Sequence, residues 1–263
     1  MHRTLHVRAD GRYERGARSS EHGARSTELG AGVHREGEAL DSQASIEPKE
    51  VAPPPMSVSA LKEWLPVISE VQRGATTLIF RRGGILDKQF ELPRQPNARS
   101  LFFPTTFHVS LDAGAGTQYL KRPELYRDIA DLDIRRDWER IECPIAFEVT
   151  GAWATSSPMI GEVLDAWHCY GPQFVEKRLG GARKGPLTVM EVRAFALDEP
   201  VVLENEPGLW GCFSWLELDG VVVGSAGGLG LAGAACVDDE AFALRQEGVR
   251  DALKRVEAAR LVG

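Results

Sequence analysis

Cysteine is scarce in this chain of 263 residues, and its four copies are scattered. Cys143, Cys169, Cys212 and Cys236 form no Cys-x-x-Cys pair, so neither a disulfide framework nor a zinc knuckle has the spacing it needs. They read as reduced thiols of a cytosolic protein. No apolar run is long enough to cross a bilayer. The Arg-, Gly- and Ser-rich N-terminus has no apolar stretch that could serve as a secretory signal. The expected location is therefore cytoplasmic, with no membrane partner. Positive charge is also in deficit. A net charge of −7 excludes binding to nucleic acid or anionic lipid through bulk attraction and leaves only local basic patches. The phosphate-binding Gly-Lys-Ser/Thr, the nucleophile elbow and the metalloprotease His-Glu-x-x-His are all missing.

An apolar fraction of 43% is enough to bury a core. Residues 1–55 hold few large apolar side chains and show no helical or alternating period, so they read as a disordered tail. Val51-Ala52-Pro53-Pro54-Pro55 ends this stretch stiffly, and Met56 follows. Either the tail is functional or the start codon lies too far upstream, with Met56 the initiator. Residues 56–263 are expected to form one α+β domain.

Within it, Ser57 or Ser59 can cap a helix that carries Leu61, Trp64, Leu65, Ile68 and Val71 on one face and ends at Gly74. Thr76–Phe80 and Leu101-Phe102-Phe103 read as short strands, the second stopped by Pro104. Pro123 to about Ala130 reads as a helix. Ile141–Val149 alternates, with Ile141, Cys143, Ile145, Phe147 and Val149 on a buried face, and Pro144 suggests an edge strand. Ser157-Pro158 opens a helix through Ile160, Val163, Leu164 and Trp167. Gly171-Pro172 breaks it and starts another. Leu187–Leu197 and Trp210–Leu218 are further strands, with Asp219-Gly220 turning into Val221–Val223. A last helix runs from about Asp239, with Phe242, Val249, Leu253 and Val256 inward. Strands and helices follow no βαβ rhythm, so one mixed or mostly antiparallel sheet with packed helices is expected.

Several separated motifs occur in a fixed order. They are Ala60-Leu61-Lys62-Glu63-Trp64, Leu78-Ile79-Phe80-Arg81-Arg82-Gly83-Gly84-Ile85 and Phe103-Pro104-Thr105-Thr106-Phe107-His108. Further on come Gly151-Ala152-Trp153-Ala154, His168-Cys169-Tyr170-Gly171-Pro172 continuing to Leu179, Val192-Arg193, and Gly211-Cys212-Phe213-Ser214-Trp215. From about Ser57 to Leu218 the chain resembles the bacterial domain-of-unknown-function 1802 family. The resemblance carries no activity with it. Relatives joined to a restriction-endonuclease-type domain imply work beside a restriction–modification system. Thr106 and Phe107 stand where the family has Tyr and Glu, so a carboxylate is missing beside His108. Tyr170 stands where the family tends to have Trp.

Arg81-Arg82-Gly83-Gly84 follows a strand. Its glycines let backbone N–H groups approach a ligand and its arginines favour phosphate. With Arg178 and Arg193 these residues are the candidate anion site, and Lys184 adds to the local positive charge. Of the six histidines only His108 and His168 lie outside the first 55 residues. They are the candidate acid/base pair of a phosphodiester hydrolase. No metal and no cofactor is expected. Glu191-x-Arg193 has the outline of a nuclease Glu-x-Lys, but arginine stays protonated and no Pro-Asp precedes it. A structural ion pair fits better. Gly228-Leu229-Gly230-Leu231-Ala232-Gly233 matches a dinucleotide fingerprint in letters only, because no second parallel strand can follow it. Trp64, Trp153, Trp210 and Trp215 fit a core better than a base-stacking face.

The sequence thus favours a nucleic-acid- or nucleotide-associated accessory domain that takes a phosphate-bearing ligand. The hydrolase and a non-catalytic interaction module are the alternatives. Arg81, His108, His168, Arg178 and Arg193 are expected to converge. Because the first 55 residues bury little apolar area, a chain starting at Met56 should melt at the same temperature as the full chain, measured by thermal unfolding.

Overall fold

The structure is a computed structural model. It describes residues 5–7, 13–15, 57–82, 90–93, 98–106, 119–122, 132–180, 185–218 and 231–262. A short antiparallel hairpin joins β1 (Leu5–Val7) to β2 (Tyr13–Arg15), with Leu5 opposite Arg15. It is regular structure in a stretch where the sequence shows no period, and it forms a sheet separate from the main one.

The domain opens with β3 (Val58–Trp64), which runs directly into α1 (Leu65–Gln72). This corrects the single helix expected from Ser57. Pro66 occupies the first turn of α1, where its missing N–H costs nothing, whereas a helix running through it would lose a hydrogen bond and clash. The residues before it pair on both sides, with a parallel and an antiparallel neighbour. Apolar positions divided between two elements had imitated one helical face. Gly74, at φ +71°, closes the segment as expected.

β4 (Leu78–Arg81) and β5 (Ser100–Thr105) follow. Pro104 does not stop β5. That strand pairs with its antiparallel neighbour only at Ser100 and Leu101, so by Pro104 one of its edges has left the ladder. Next come α2 (Ile134–Asp137), β6 (Arg140–Thr155), α3 (Ile160–Val163) with a 3-10 turn at Asp165–Trp167, and α4 (Pro172–Gly180). The chain continues through β7 (Leu187–Glu204), β8 (Trp215–Leu218), β9 (Gly233–Ala235), α5 (Asp239–Lys254) and β10 (Ala259–Val262). The strand expected from Trp210 begins only at Trp215, after a 3-10 turn at Pro207–Leu209. The expected helix near Pro123 and the turn into Val221–Val223 lie outside the described residues.

The main sheet has eight strands in the order β4-β7-β6-β5-β3-β8, with β9 added to β7 and β10 to β6. It is mixed and mostly antiparallel, β3 with β5 being the parallel pair. The sheet is curled and buried on both faces. On one face Leu61, Phe102, Ile145, Phe147 and Val149 pack with Val67, Ile68 and Val71 of α1 and Val249 and Leu253 of α5. On the other, Ala60, Leu101, Phe103, Ile141, Cys143 and Ala146 pack with Ile134, Trp138 and Leu216.

β6 is an interior strand where β5 joins it at Ala146 and Phe147, but at Pro144 only the β7 side remains, so the proline stands at a local edge, as expected. Cys143 pairs with Val201 and Ile145 with Ala196. One residue of β6 therefore faces Leu197–Pro200 of β7, and both prolines lie in this irregular stretch. The bulge changes phase. Ile141 and Cys143 enter one core while Ile145 and Phe147 enter the other, although their alternation in the sequence suggests a single face. Glu142 and Glu148 are half-exposed, and Glu148 binds Arg99 at 3.1 Å.

The last glycine of the Gly228–Gly233 run begins β9. A Cβ there would stand 2.2 Å from the carbonyl oxygen of Ala196, so strand contact accounts for it without a bound phosphate. At the C-terminus, α5 starts on Asp238, which accepts the Ala241 N–H at 2.8 Å. Phe242, Val249, Leu253 and Val256 are buried as the period predicts.

Phe147 is fully buried, with its ring centroid 4.2 Å from that of Phe102. Phe147→Ala is expected to cost about 3–5 kcal/mol in urea-unfolding stability, because the tight β6–β7 ladder leaves the cavity little room to collapse.

Candidate anion site

The curl of the sheet brings together two strands that its order keeps apart. β4 and β3 are separated by β7, β6 and β5. Nevertheless Arg81, the last residue of β4, donates from Nη2 to the carbonyl oxygen of Lys62 in β3 at 2.6 Å. Its Nη1 lies 3.5 Å from Oε2 of Glu63. Glu63 is 3% exposed, and its other oxygen accepts the Trp64 N–H at 2.7 Å. Arg82 donates to the carbonyl oxygen of Arg178 in the last turn of α4. The free carbonyls and the negative end of the helix dipole both favour a cation there.

Arg178 is the third guanidinium of the cluster. It is half-buried, with its central carbon 5.0 Å from the centroid of the Phe174 ring. Among the described residues it has no carboxylate partner. Burial, followed by the nearby Arg81 charge, pulls its pKa below the usual value, and Glu63 acts in the opposite sense. Tyr170 stacks on Phe80 and Phe174, at 5.3 and 4.2 Å between centroids. Its Oη and the Nε of Arg81 are buried, and neither has a hydrogen-bond partner among the described residues. Burial first, and then Glu63, raise the phenol pKa well above its ordinary value, so the hydroxyl keeps its proton and remains a donor.

This cluster differs from the buried carboxylate node at Glu70. Glu70 binds Arg73 at 2.5 Å and Arg122 at 3.2 Å, but those arginine side chains are 34% and 41% exposed. Water can solvate them. The Arg81 side chain is only 14% exposed.

Arg193 does not join Arg81, Arg82 and Arg178. Arg81 stands opposite Thr188 and Leu78 opposite Glu191. Arg193 therefore lies about 16 Å along β7 from the partner of Arg81, at the 3.3 Å rise of a strand. It pairs with Asp239 at the start of α5 and lies over the Phe242 ring at 5.1 Å. The expected Glu191–Arg193 pair does not form either. Glu191 is buried and accepts from Thr150 Oγ1 and Gln246 Nε2, each at 2.7 Å. Gly83, Gly84, His108 and Lys184 lie outside the described residues.

His168 lies beside the cluster, with its ring 4.7 Å from that of Phe80, but both nitrogens are occupied. Nδ1 accepts the Tyr170 N–H at 3.1 Å, so Nε2 carries the proton and donates to the Gly161 carbonyl at 2.8 Å. Burial, and then the charge of Lys121, lower its pKa to about 4. The ring is a neutral bracket between the α3 turn and Tyr170. It also lines a cleft of about 390 Å³ with Glu162, Asp165 and Glu176. Lys121 Nζ binds Asp165 there at 2.8 Å. Among the described residues no group of His, Cys, Asp or Glu could hold a metal, and no helix is long and apolar enough to cross a membrane.

Glu63 and Tyr170 are the parts of the site that sequence reading missed. Once Val58–Trp64 is read as a strand, Glu63 alternates with Lys62 and shares a side with Leu61, which would have flagged it. Lys62 projects to the other side, where it is 7% exposed. Its Nζ lies 3.6 Å from the Phe213 centroid and donates to the Gly211 carbonyl at 3.3 Å. Burial lowers its pKa to about 8, against the raising effect of Cys212.

The depressed His168 pKa sets an acid limit. Below pH 6.5 the unfolded chain takes up a proton that the folded ring refuses until about pH 4, so stability falls with falling pH across that window. Wild type should lose up to about 3 kcal/mol more than His168→Gln between pH 6.5 and 4. Urea midpoints measured at both pH values check this.

No curated protein and no solved structure matches the chain. A family model described as a domain of unknown function, DUF1802, matches residues 60–247. That span holds Glu63, Arg81, Arg82, Tyr170 and Arg178 and most of the curled sheet around them, and by it the chain belongs to the DUF1802 family.

Proposed function

We propose that the domain binds a phosphate-bearing ligand, a nucleotide or a nucleic acid, through Arg81, Arg82 and Arg178. The observation that carries this reading is Arg178, a half-buried guanidinium with no carboxylate partner among the described residues, set beside a second arginine that repels it. Such an arrangement is costly in the empty protein, and an external anion relieves it. Guanidinium groups also match phosphate geometry with paired N–H donors. Gly83 and Gly84 adjoin the cluster in sequence, and we include them in the proposed site. The acidic surroundings limit the contact to a local one, so the salt dependence of binding should be shallow, with a log–log slope of no more than about three.

Association with a restriction–modification-type system rests on the family resemblance alone and is part of the same proposal. A hydrolase centred on His108 and His168 has less behind it, since both nitrogens of His168 are spent inside the fold. A module without catalysis fits the same arginine cluster.

Titrating a labelled single-stranded 12-mer by fluorescence anisotropy tests the reading. Arg178→Gln should weaken binding by about tenfold and lower the salt slope by about one. Arg193→Gln, away from the cluster, should leave affinity unchanged. Equal affinity in wild type and Arg178→Gln would sink the proposal.

A further inference from the structure

The cluster also says which kind of phosphate it fits, an inference that rests on the anion-binding reading above. We infer that it takes a terminal phosphomonoester rather than a phosphodiester within a chain. Among the described residues the three guanidinium groups have one carboxylate partner, Glu63, which pairs with Arg81, and two formal positive charges are left unmatched there. A phosphomonoester above its second pKa, near 6, carries about two negative charges and three terminal oxygens. A diester carries one charge and two such oxygens.

The donors point the same way. Arg178 has no oxygen partner among the described residues, and two buried donors, Arg81 Nε and Tyr170 Oη, are also without one. Tyr170 is 1% exposed. The charges of Glu63 and Arg81 act on its hydroxyl, and the hydroxyl in turn acts on Arg178. The ends of β3, β4 and α4 meet at the cluster, where Arg81 and Arg82 each donate to a carbonyl oxygen of another element, and Phe80 and Phe174 stack on Tyr170. The free 5′-nucleotide and the phosphorylated end of a strand share this chemistry.

The test compares two single-stranded 12-mers of one sequence, one with a 5′-phosphate and one with a 5′-hydroxyl, by anisotropy at pH 7.5. The phosphorylated strand should bind about tenfold tighter or better. Arg178→Gln should erase the difference, and the preference should shrink as pH falls through 6. Tyr170→Phe should reduce the preference several-fold with an unchanged melting temperature. Competition with AMP separates the two sources. Displacement at equal affinity identifies the free nucleotide, and much weaker displacement identifies the strand end, the phosphomonoester being the determinant in both. Equal affinity for the two strands, lost in Arg178→Gln, overturns this inference and leaves the anion site standing. If neither strand binds and inorganic phosphate does not raise the melting temperature, both readings fail.

Discussion

The fold depends on the ladder between β6 and β7. It runs from Arg140 opposite Glu204 to Thr155 opposite Leu187. β4 and β9 hang on the outer edge of β7, and β5 and β10 on the outer edge of β6. Both cores draw side chains from these two strands. Antiparallel strands of this length twist, and the resulting curl carries the end of β4 toward β3. Arg81 then has a neighbour it could not reach across a flat sheet. The site is in that sense a product of sheet shape, built from side chains that no single strand pair places together.

What could be read from the sequence follows from how local each signal is. β6, β7 and α5 announce themselves because alternation or helical period persists over many residues with burial to match. β3 and α1 read as one helix because their apolar positions together fall at helical spacing, although Pro66, tolerated only in a first turn, marks where the helix starts. β9 and β10 are short, and their residues are mostly exposed, so no hydrophobic pattern marks them. Their pairing is decided by the long strands they join.

The candidate site was legible in its cations and not in its architecture. Arg81, Arg82 and Arg178 stood out as charges beside apolar segments, and the structure gathers them. Arg193 had the same credentials and lies elsewhere, because Asp239 reaches it from α5, a partner far away in sequence. Local context cannot say which distant carboxylate will arrive. Glu63 was hidden by the misread helix, where it would have faced water. His168 was noticed for its chemistry, but its two backbone partners make it a structural bracket, and they depend on the turn at Gly161 that only the fold reveals.

The phase change at Pro144 has a consequence for how the molecule comes apart. Because β6 sends its first half into one core and its second half into the other, neither layer owns the strand. Loosening either layer exposes side chains along the same backbone whose hydrogen bonds hold the other. Two cores on opposite faces of a sheet would ordinarily be free to open separately as distinct foldons. Here they are tied through one strand, so an opening on one face pulls on the backbone that holds the other.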